Sequence, residues 1–108
     1  MQRIYFHKTV CLDKPLKELI SISVDESIQY KLEQNGMRAI GSIVIYGEYE
    51  DVEQRNKIKE NIDLDIFASL DKIEDKRDFH VKVEDFDYSI QDGNLKLVIQ
   101  TNVYGVKD

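Results

Sequence analysis

From Lys57 to Tyr104 the sequence alternates apolar and polar residues with few interruptions. Ile62, Leu64 and Ile66 fall on one side of an extended chain, with Asn61, Asp63 and Asp65 on the other. Phe79, Val81 and Val83 repeat the arrangement, then Phe86, Tyr88 and Ile90, then Leu95, Leu97, Ile99 and Val103. Successive side chains of a strand point to opposite faces, so a period of two sends one face into a core and the other to water; a helix would need apolar residues three and four apart. The chain is therefore committed to half-buried β-strands. With 108 residues it can build one domain with a real core but not two ordinary ones, so residues 1–108 are read as a single β-domain.

The first half follows the same rule less regularly. In residues 3–12, Ile4, Phe6, Val10 and Leu12 share one side, and Lys8 is the charged exception among them, which predicts an edge strand or a bulge. Asp13-Lys14-Pro15 ends that strand, because proline cannot donate to a ladder. Residues 16–20 are either one helical turn or an irregular connection. Ile20, Ile22 and Val24 begin a second strand, and Ile28, Tyr30 and Leu32 continue it after Asp25-Glu26-Ser27, as one bent strand or as two short ones. Gln34-Asn35-Gly36 reads as a hairpin turn, since Asn and Gly tolerate positive φ. Residues 48–56 read as a charged loop or hairpin end, and residues 70–78 as a polar crossing anchored by Ile73. The change of phase between Val83 and Phe86 requires a bulge or bend, and Asp92-Gly93 supplies the last turn. Six or seven antiparallel strands joined this way make an all-β fold, either an antiparallel β-sandwich or a partly closed barrel.

Chemistry is harder to find. The net charge of −6 comes with acids and bases interleaved, which disfavours nucleic acid and anionic membrane surfaces, because both draw affinity from clustered Lys and Arg. No apolar run approaches a membrane span, so no membrane insertion is expected. The sequence MQRIYFHKTV lacks the apolar core of a secretion signal, and the lone Cys11 can form no intramolecular disulfide, so a cytosolic site of synthesis is the default. Asp63 with Asp65 and Asp85 with Asp87 pair carboxylates on straight strands, about 6–7 Å apart, where a calcium site needs oxygens converging from a loop. His7 and His80 have no partner at ligand spacing. No nucleophile elbow, phosphate loop or dinucleotide fingerprint occurs. The expectation is a protein with no catalytic residues, no metal and no cofactor.

One strand is apolar on both faces. Ile43 and Ile45 lie on one side of residues 37–49, Val44 and Tyr46 on the other, so this stretch either sits beneath another segment or meets a second chain. Six tyrosines and no tryptophan suit contacts made through sheet surfaces. Tyr46 and Tyr104 fall opposite the main core pattern; they either pack across neighbouring strands or contribute to an interface, and the doubly apolar strand favours the interface. Val44, Tyr46 and Tyr104 are the candidate partner-binding residues.

LISISVDESI (19–28), GSIVIYGEY (41–49), IDLDIFASLDKIED (62–75), FHVKVEDFDYSI (79–90) and LKLVIQTNVYGV (95–106) follow one another in this order. Together they resemble the N-terminal domain of stage VI sporulation protein D and the related SPOCS domains of spore-coat morphogenetic proteins in endospore-forming bacteria, over about residues 19–106. The most specific parts are Gly47-Glu48-Tyr49, closing the third strand, and Phe86-Asp87-Tyr88 within the fifth, and the resemblance gives these an architectural role. It implies a non-enzymatic β-domain that helps to encase the forming spore, in the mother-cell cytoplasm at the forming coat. The implied partners are spore-coat or morphogenetic proteins, with a homo-oligomer left open. Full-length relatives often add an acidic linker and a LysM module that these 108 residues do not contain, so the resemblance carries no peptidoglycan-binding residues over to them. The competing reading is a carbohydrate- or peptide-binding β-sandwich unrelated to sporulation. Clustered aromatic residues on one exposed face would favour it; an uncovered apolar face or edge would favour a protein partner.

Overall fold

The structure, a computed structural model, describes residues Met1–Asp108. Six strands follow one another as β1 (Gln2–Cys11), β2 (Glu18–Glu33), β3 (Gly36–Glu50), β4 (Arg55–Ser69), β5 (His80–Gln91) and β6 (Asn94–Tyr104). They form two antiparallel three-stranded sheets, ordered β1-β6-β5 and β2-β3-β4. No ladder joins the sheets, so the architecture is a sandwich rather than a closed barrel, and it is long and thin at 54 × 21 × 17 Å. Hairpins connect β2 to β3, β3 to β4 and β5 to β6, while the chain changes sheet after β1 and after β4.

The core lies between the central strands. On β6 the inward row Leu95, Leu97, Ile99, Thr101 and Val103 is fully enclosed, and Ala39, Ile43, Ile45 and Tyr49 of β3 face it. The edge strands add Ile4, Phe6 and Val10 from β1, Ile22, Val24 and Ile28 from β2, Ile58 and Leu64 from β4, and Val81 and Val83 from β5. Thr101 places a hydroxyl with no hydrogen-bond partner in this apolar layer. Lys8, the charge in an apolar row, does point inward from an edge strand; its ammonium reaches Glu60 Oε2 on β4 at 3.9 Å. An inward charge on an edge discourages pairing with a foreign strand.

The second clasp between the sheets was not visible in the sequence. The Tyr30 hydroxyl accepts from the Val81 N–H at 2.9 Å and donates to the Val81 carbonyl at 3.3 Å, and its ring meets Phe79 edge-on at 5.9 Å. Glu26 Oε2 accepts from the Val83 N–H at 3.4 Å. Asp25-Glu26-Ser27 therefore marks no corner. β2 is one 16-residue strand, and Glu26 points at the backbone of β5.

Several local expectations need correcting. Residues 16–20 contain no helical turn; the connection is irregular through Lys17, whose N–H is bonded to the Glu50 carbonyl at 2.7 Å, and β2 then begins at Glu18. A bulge between Leu19 and Ser21 puts Leu19 inside and leaves Ile20 exposed, so Ile20 does not share the face of Ile22 and Val24. The hairpin at Gln34-Asn35 forms, but not through positive φ, which occurs only at Asp92, Gly93 and Gly105. Gly36 is needed instead because a Cβ there would run into the Ala68 carbonyl of β4. The bulge between Val83 and Asp85 and the left-handed Asp92-Gly93 turn are as the sequence predicts, as is the buried Ile73 anchor, which bridges to Val106.

The charged stretch 48–56 is mostly strand; only Asp51 to Gln54 form the loop. Buried Asp51 organises it. Its Oδ1 accepts the N–H groups of Glu53 at 2.6 Å and Gln54 at 2.8 Å, and its Oδ2 accepts from the Asn56 amide at 3.1 Å. These bonds, the Glu53 N–H foremost, hold the carboxyl below its ordinary value of 3.8. A pKa lowered by folding stabilises the native state above the ordinary value, and that stabilisation is lost as pH falls through the folded-state value. Asp51→Asn is therefore expected to lower the melting temperature at neutral pH, with the gap to wild type closing in acid. A gap that persists below about pH 2, well under the reference carboxylate pKa, would mean the charge is not what the loop uses.

Candidate interaction surface

The outer face of β2-β3-β4 is built by the even-numbered residues of β3 and the odd-numbered residues of β2 and β4 that pair with them. Val44 lies between Asp25 and Asn61, Tyr46 between Ser23 and Lys59, and Ile40 between Gln29 and Asp65. Tyr46 is 47% exposed and Ile40 is exposed, while Val44 is half-buried by its neighbours. No segment of the chain folds over this row. From Ile40 to Tyr46 it runs for about 20 Å at the usual strand rise, one residue wide, interrupted by Ser42 and bordered by polar side chains.

The ends of the row differ in chemistry. Lys59 holds its ammonium 6.0 Å from the Tyr46 ring centre, and a shallow depression beside it is lined by Ser21, Ser23, Glu48 and Lys57. At the other end Arg38 lies 5.0 Å from the Phe67 ring, bonds Asp65 Oδ1 at 2.8 Å and also bonds Glu33. The bond to Glu33, then that to Asp65, raises the Arg38 pKa further above an already basic value, so the guanidinium stays charged.

The three residues expected to bind a partner do not form one surface. Val44 and Tyr46 belong to the face just described. Tyr104 lies on the outer face of the other sheet, half-buried, its ring stacked on His80 at 4.6 Å and its hydroxyl accepting from the Asn102 amide at 3.2 Å while donating to Glu84. With both ring and hydroxyl engaged, Tyr104 packs across its own sheet and is not a free contact residue. Asn102 is buried beside it, with Oδ1 unpaired.

Of the motif residues, Tyr49 is buried and its hydroxyl accepts from the Lys14 N–H at 3.4 Å, fixing the crossing from β1 to β2. Glu48 faces out, with Arg55 Nη1 at 3.8 Å. Gly47 pairs with Ile22 and Ile58 on the two neighbouring strands. In the second motif Asp87 is exposed, but Phe86 is only half-buried and Tyr88 is 50% exposed, where burial of both was expected. Both have the inward phase. The clasp through Tyr30 and Glu26 holds β5 against β2 only near Val81 and Val83, and Tyr88 and Ile90 near the other end of β5 stay exposed. Asp63 and Asp65 lie on one outer face and Asp85 and Asp87 on the other. Nowhere do three or more His, Cys, Asp or Glu side chains gather as a group able to hold a metal ion.

Comparison with known proteins gives one family. The SPOCS_spoVID-N family model matches residues 2–61 and 51–106, which together span the chain and include β1, beyond the residues that carried the resemblance in sequence. No curated protein matches, and neither does any solved structure. The chain belongs to the SPOCS_spoVID-N family of sporulation-associated domains, and its role is a sporulation-related one.

Proposed function

We propose that this domain is a non-enzymatic interaction module of spore-coat assembly, acting in the mother-cell cytoplasm at the forming coat and binding coat or morphogenetic proteins through the outer face of β2-β3-β4. The observation that carries the reading is the uncovered row Ile40, Val44 and Tyr46 on a central strand. The centre of a sheet normally shows polar residues to water on its solvent face. Apolar side chains broken only by Ser42 and bordered by polar ones have the composition of a small contact patch, an apolar centre with a polar rim. Fully burying each of these side chains contributes about 1.5–3 kcal/mol before association costs are subtracted. The carbohydrate reading gains no support from the exposed aromatics, which are dispersed: Tyr5 on one outer face, Tyr46 and Phe67 at opposite ends of the other, Tyr30 and Tyr88 at the seam.

The test is Val44→Lys combined with Tyr46→Ser, with folding checked by circular dichroism and melting. The folded double variant is expected to lose capture of coat proteins from sporulating-cell extract by tenfold or more, about 1.4 kcal/mol. Undiminished capture by a folded variant would remove this face from consideration.

A further inference from the structure

The geometry points to a second surface, the free edge of β4, as the place where two copies of this chain join in an antiparallel, two-fold symmetric pair. This goes beyond the proposed coat-protein contact: it uses the free backbone edge of β4 and the side chains that border that face, not the Ile40, Val44 and Tyr46 row itself.

An exposed edge strand is a template for pairing with another chain, and proteins usually blunt it. Three of the four edges here are blunted. β1 carries Arg3 and Lys8 and no acid, so a second β1 would meet like charge. β2 is bulged near Ile20 and carries Glu18, Asp25, Glu26 and Glu33 against a single Lys31. β5 is bulged after Val83, and part of its edge is already bonded by Tyr30 and Glu26. β4 is the exception. Its 15 residues pair with β3 without a register shift and contain neither proline nor glycine. No group elsewhere in the chain bonds its outer backbone edge. Its one inward charge, Glu60, is matched by Lys8.

The outward side chains of β4 read Lys57, Lys59, Asn61, Asp63, Asp65, with bases before Asn61 and acids after it. An antiparallel neighbour reverses the order. A two-fold axis at Asn61 therefore sets Lys57 opposite Asp65 and Lys59 opposite Asp63, each pair occurring twice. Within one chain Lys57, Lys59 and Asp63 have no ion-pair partner, and Asp65 has only Arg38. Continuing one sheet across the axis requires same-face residues to stand opposite each other, which leaves few registers. Centring on Glu60 sets two carboxylates directly opposite, and centring on Ile62 keeps only the Lys59–Asp65 pairs. The Asn61 register alone combines both sets of ion pairs with no like-charge contact. Opposite-charge cross-strand pairs stabilise a ladder and like-charge pairs destabilise it, and a self-complementary patch is what a two-fold dimer needs. The product is a continuous six-stranded sheet in which the two Ile40–Tyr46 rows share one face, separated by the two paired β4 strands.

Sedimentation equilibrium of the full chain over a concentration series tests this. The wild type is expected to dimerise, more weakly at high salt. Lys57→Asp with Lys59→Asp makes the outward edge acidic, and Asp63→Lys with Asp65→Lys makes it basic. Each double variant alone is expected to lose self-association by roughly a hundredfold or more, from four reversed pairs, while an equimolar mixture of the two recovers it as a heterodimer. A monomeric wild type at its highest soluble concentration, reversals without effect, or a mixture that stays monomeric would each overturn the proposal. Register has its own readout that does not depend on the charge variants folding. In a Cys11→Ser background, Asn61→Cys is expected to form a disulfide-linked dimer on mild oxidation, since directly opposed residues lie within about 4.5–5.5 Å. Asp63→Cys should not, its two copies being roughly 13 Å apart along the strands. Cross-linking at 63 and not at 61 would refute this register. Lys59 and Asp65 border Tyr46 and Ile40, so the two surfaces are separated from the other side: Val44→Lys with Tyr46→Ser leaves the β4 sequence intact, and loss of coat-protein capture with dimerisation retained distinguishes them.

Discussion

Cutting Ile99 back to alanine is expected to cost about 3–4 kcal/mol, within the usual 2–5 kcal/mol for a fully enclosed aliphatic side chain. Ile99 sits at the middle of β6, 0% exposed, flanked on its own sheet by Phe6 and Phe86. The central strands cannot collapse into the resulting void without moving both ladders, so the cavity term adds to the lost transfer energy. Against a total stability of about 5–15 kcal/mol, this is a large share. Tyr88→Ala, one cross-strand position away, is expected to cost under about 1 kcal/mol, because half of that side chain already faces water. Urea denaturation of both variants measures the contrast through the shift in midpoint at constant slope. Equal losses at the two sites would mean that β5 closes fully over the core and that the exposure of Tyr88 is misplaced.

That contrast shows how far alternation can be read. A period of two determines which face of a strand turns inward, and it does so correctly for Phe86, Tyr88 and Ile90. It does not determine whether anything waits on that side. Burial of Tyr88 depends on how closely β5 follows β2, and that is set by Tyr30 and Glu26, two side chains on a different strand in a different sheet. Ile20 failed for another reason: one extra residue in the β2 ladder inverts the phase of everything before it, and nothing in Leu19-Ile20-Ser21 announces a bulge. The strands, the turn at Asp92-Gly93 and the Glu84 bulge were legible because each rests on local chemistry; the turn at Gln34-Asn35 and the Ile73 anchor were placed correctly, although Gly36 is required by the Ala68 carbonyl of β4 and Ile73 is held by Val106.

The interaction surface divides along the same line. Val44 and Tyr46 were legible as an outer apolar pair because Ile43 and Ile45 had already claimed the core side of the strand. Tyr104 has the same alternation signature, yet its neighbours His80, Asn102 and Glu84 occupy it, and those come together only through the β5–β6 register. The order Lys57, Lys59, Asn61, Asp63, Asp65 is plain in the sequence. It acquires meaning only once β4 is known to be an unblunted edge, which follows from strand order and not from any residue in β4.

Gly41→Ala is expected to destabilise the fold by about 3 kcal/mol, at or above the upper end of the usual cost of overpacking, although alanine adds a single methyl group. Gly41 lies on the inward row of β3 between Ile43 and Ala39, opposite Ile28 of β2. A Cβ at this position would stand 2.8 Å from Ile28 Cα and would run into the Ser27 carbonyl oxygen. Both obstacles are main chain, so no side-chain rotation relieves them; β2 itself must move away from β3, and with it the Tyr30 and Glu26 contacts that hold the second sheet. The informative comparison is Gly93→Ala. Gly93 has φ of +77° with nothing near its Cβ, so its loss is expected to be about 1 kcal/mol of local backbone strain, confined to the turn. Thermal melting with hydrogen exchange separates the two cases. Gly41→Ala should weaken amide protection along β2 and at Val81 and Val83 of β5, while Gly93→Ala should affect only the β5–β6 turn. A Gly41→Ala protein as stable as wild type, with Val81 still protected, would show that β2 does not press on β3 there and that the two sheets are held together by other means.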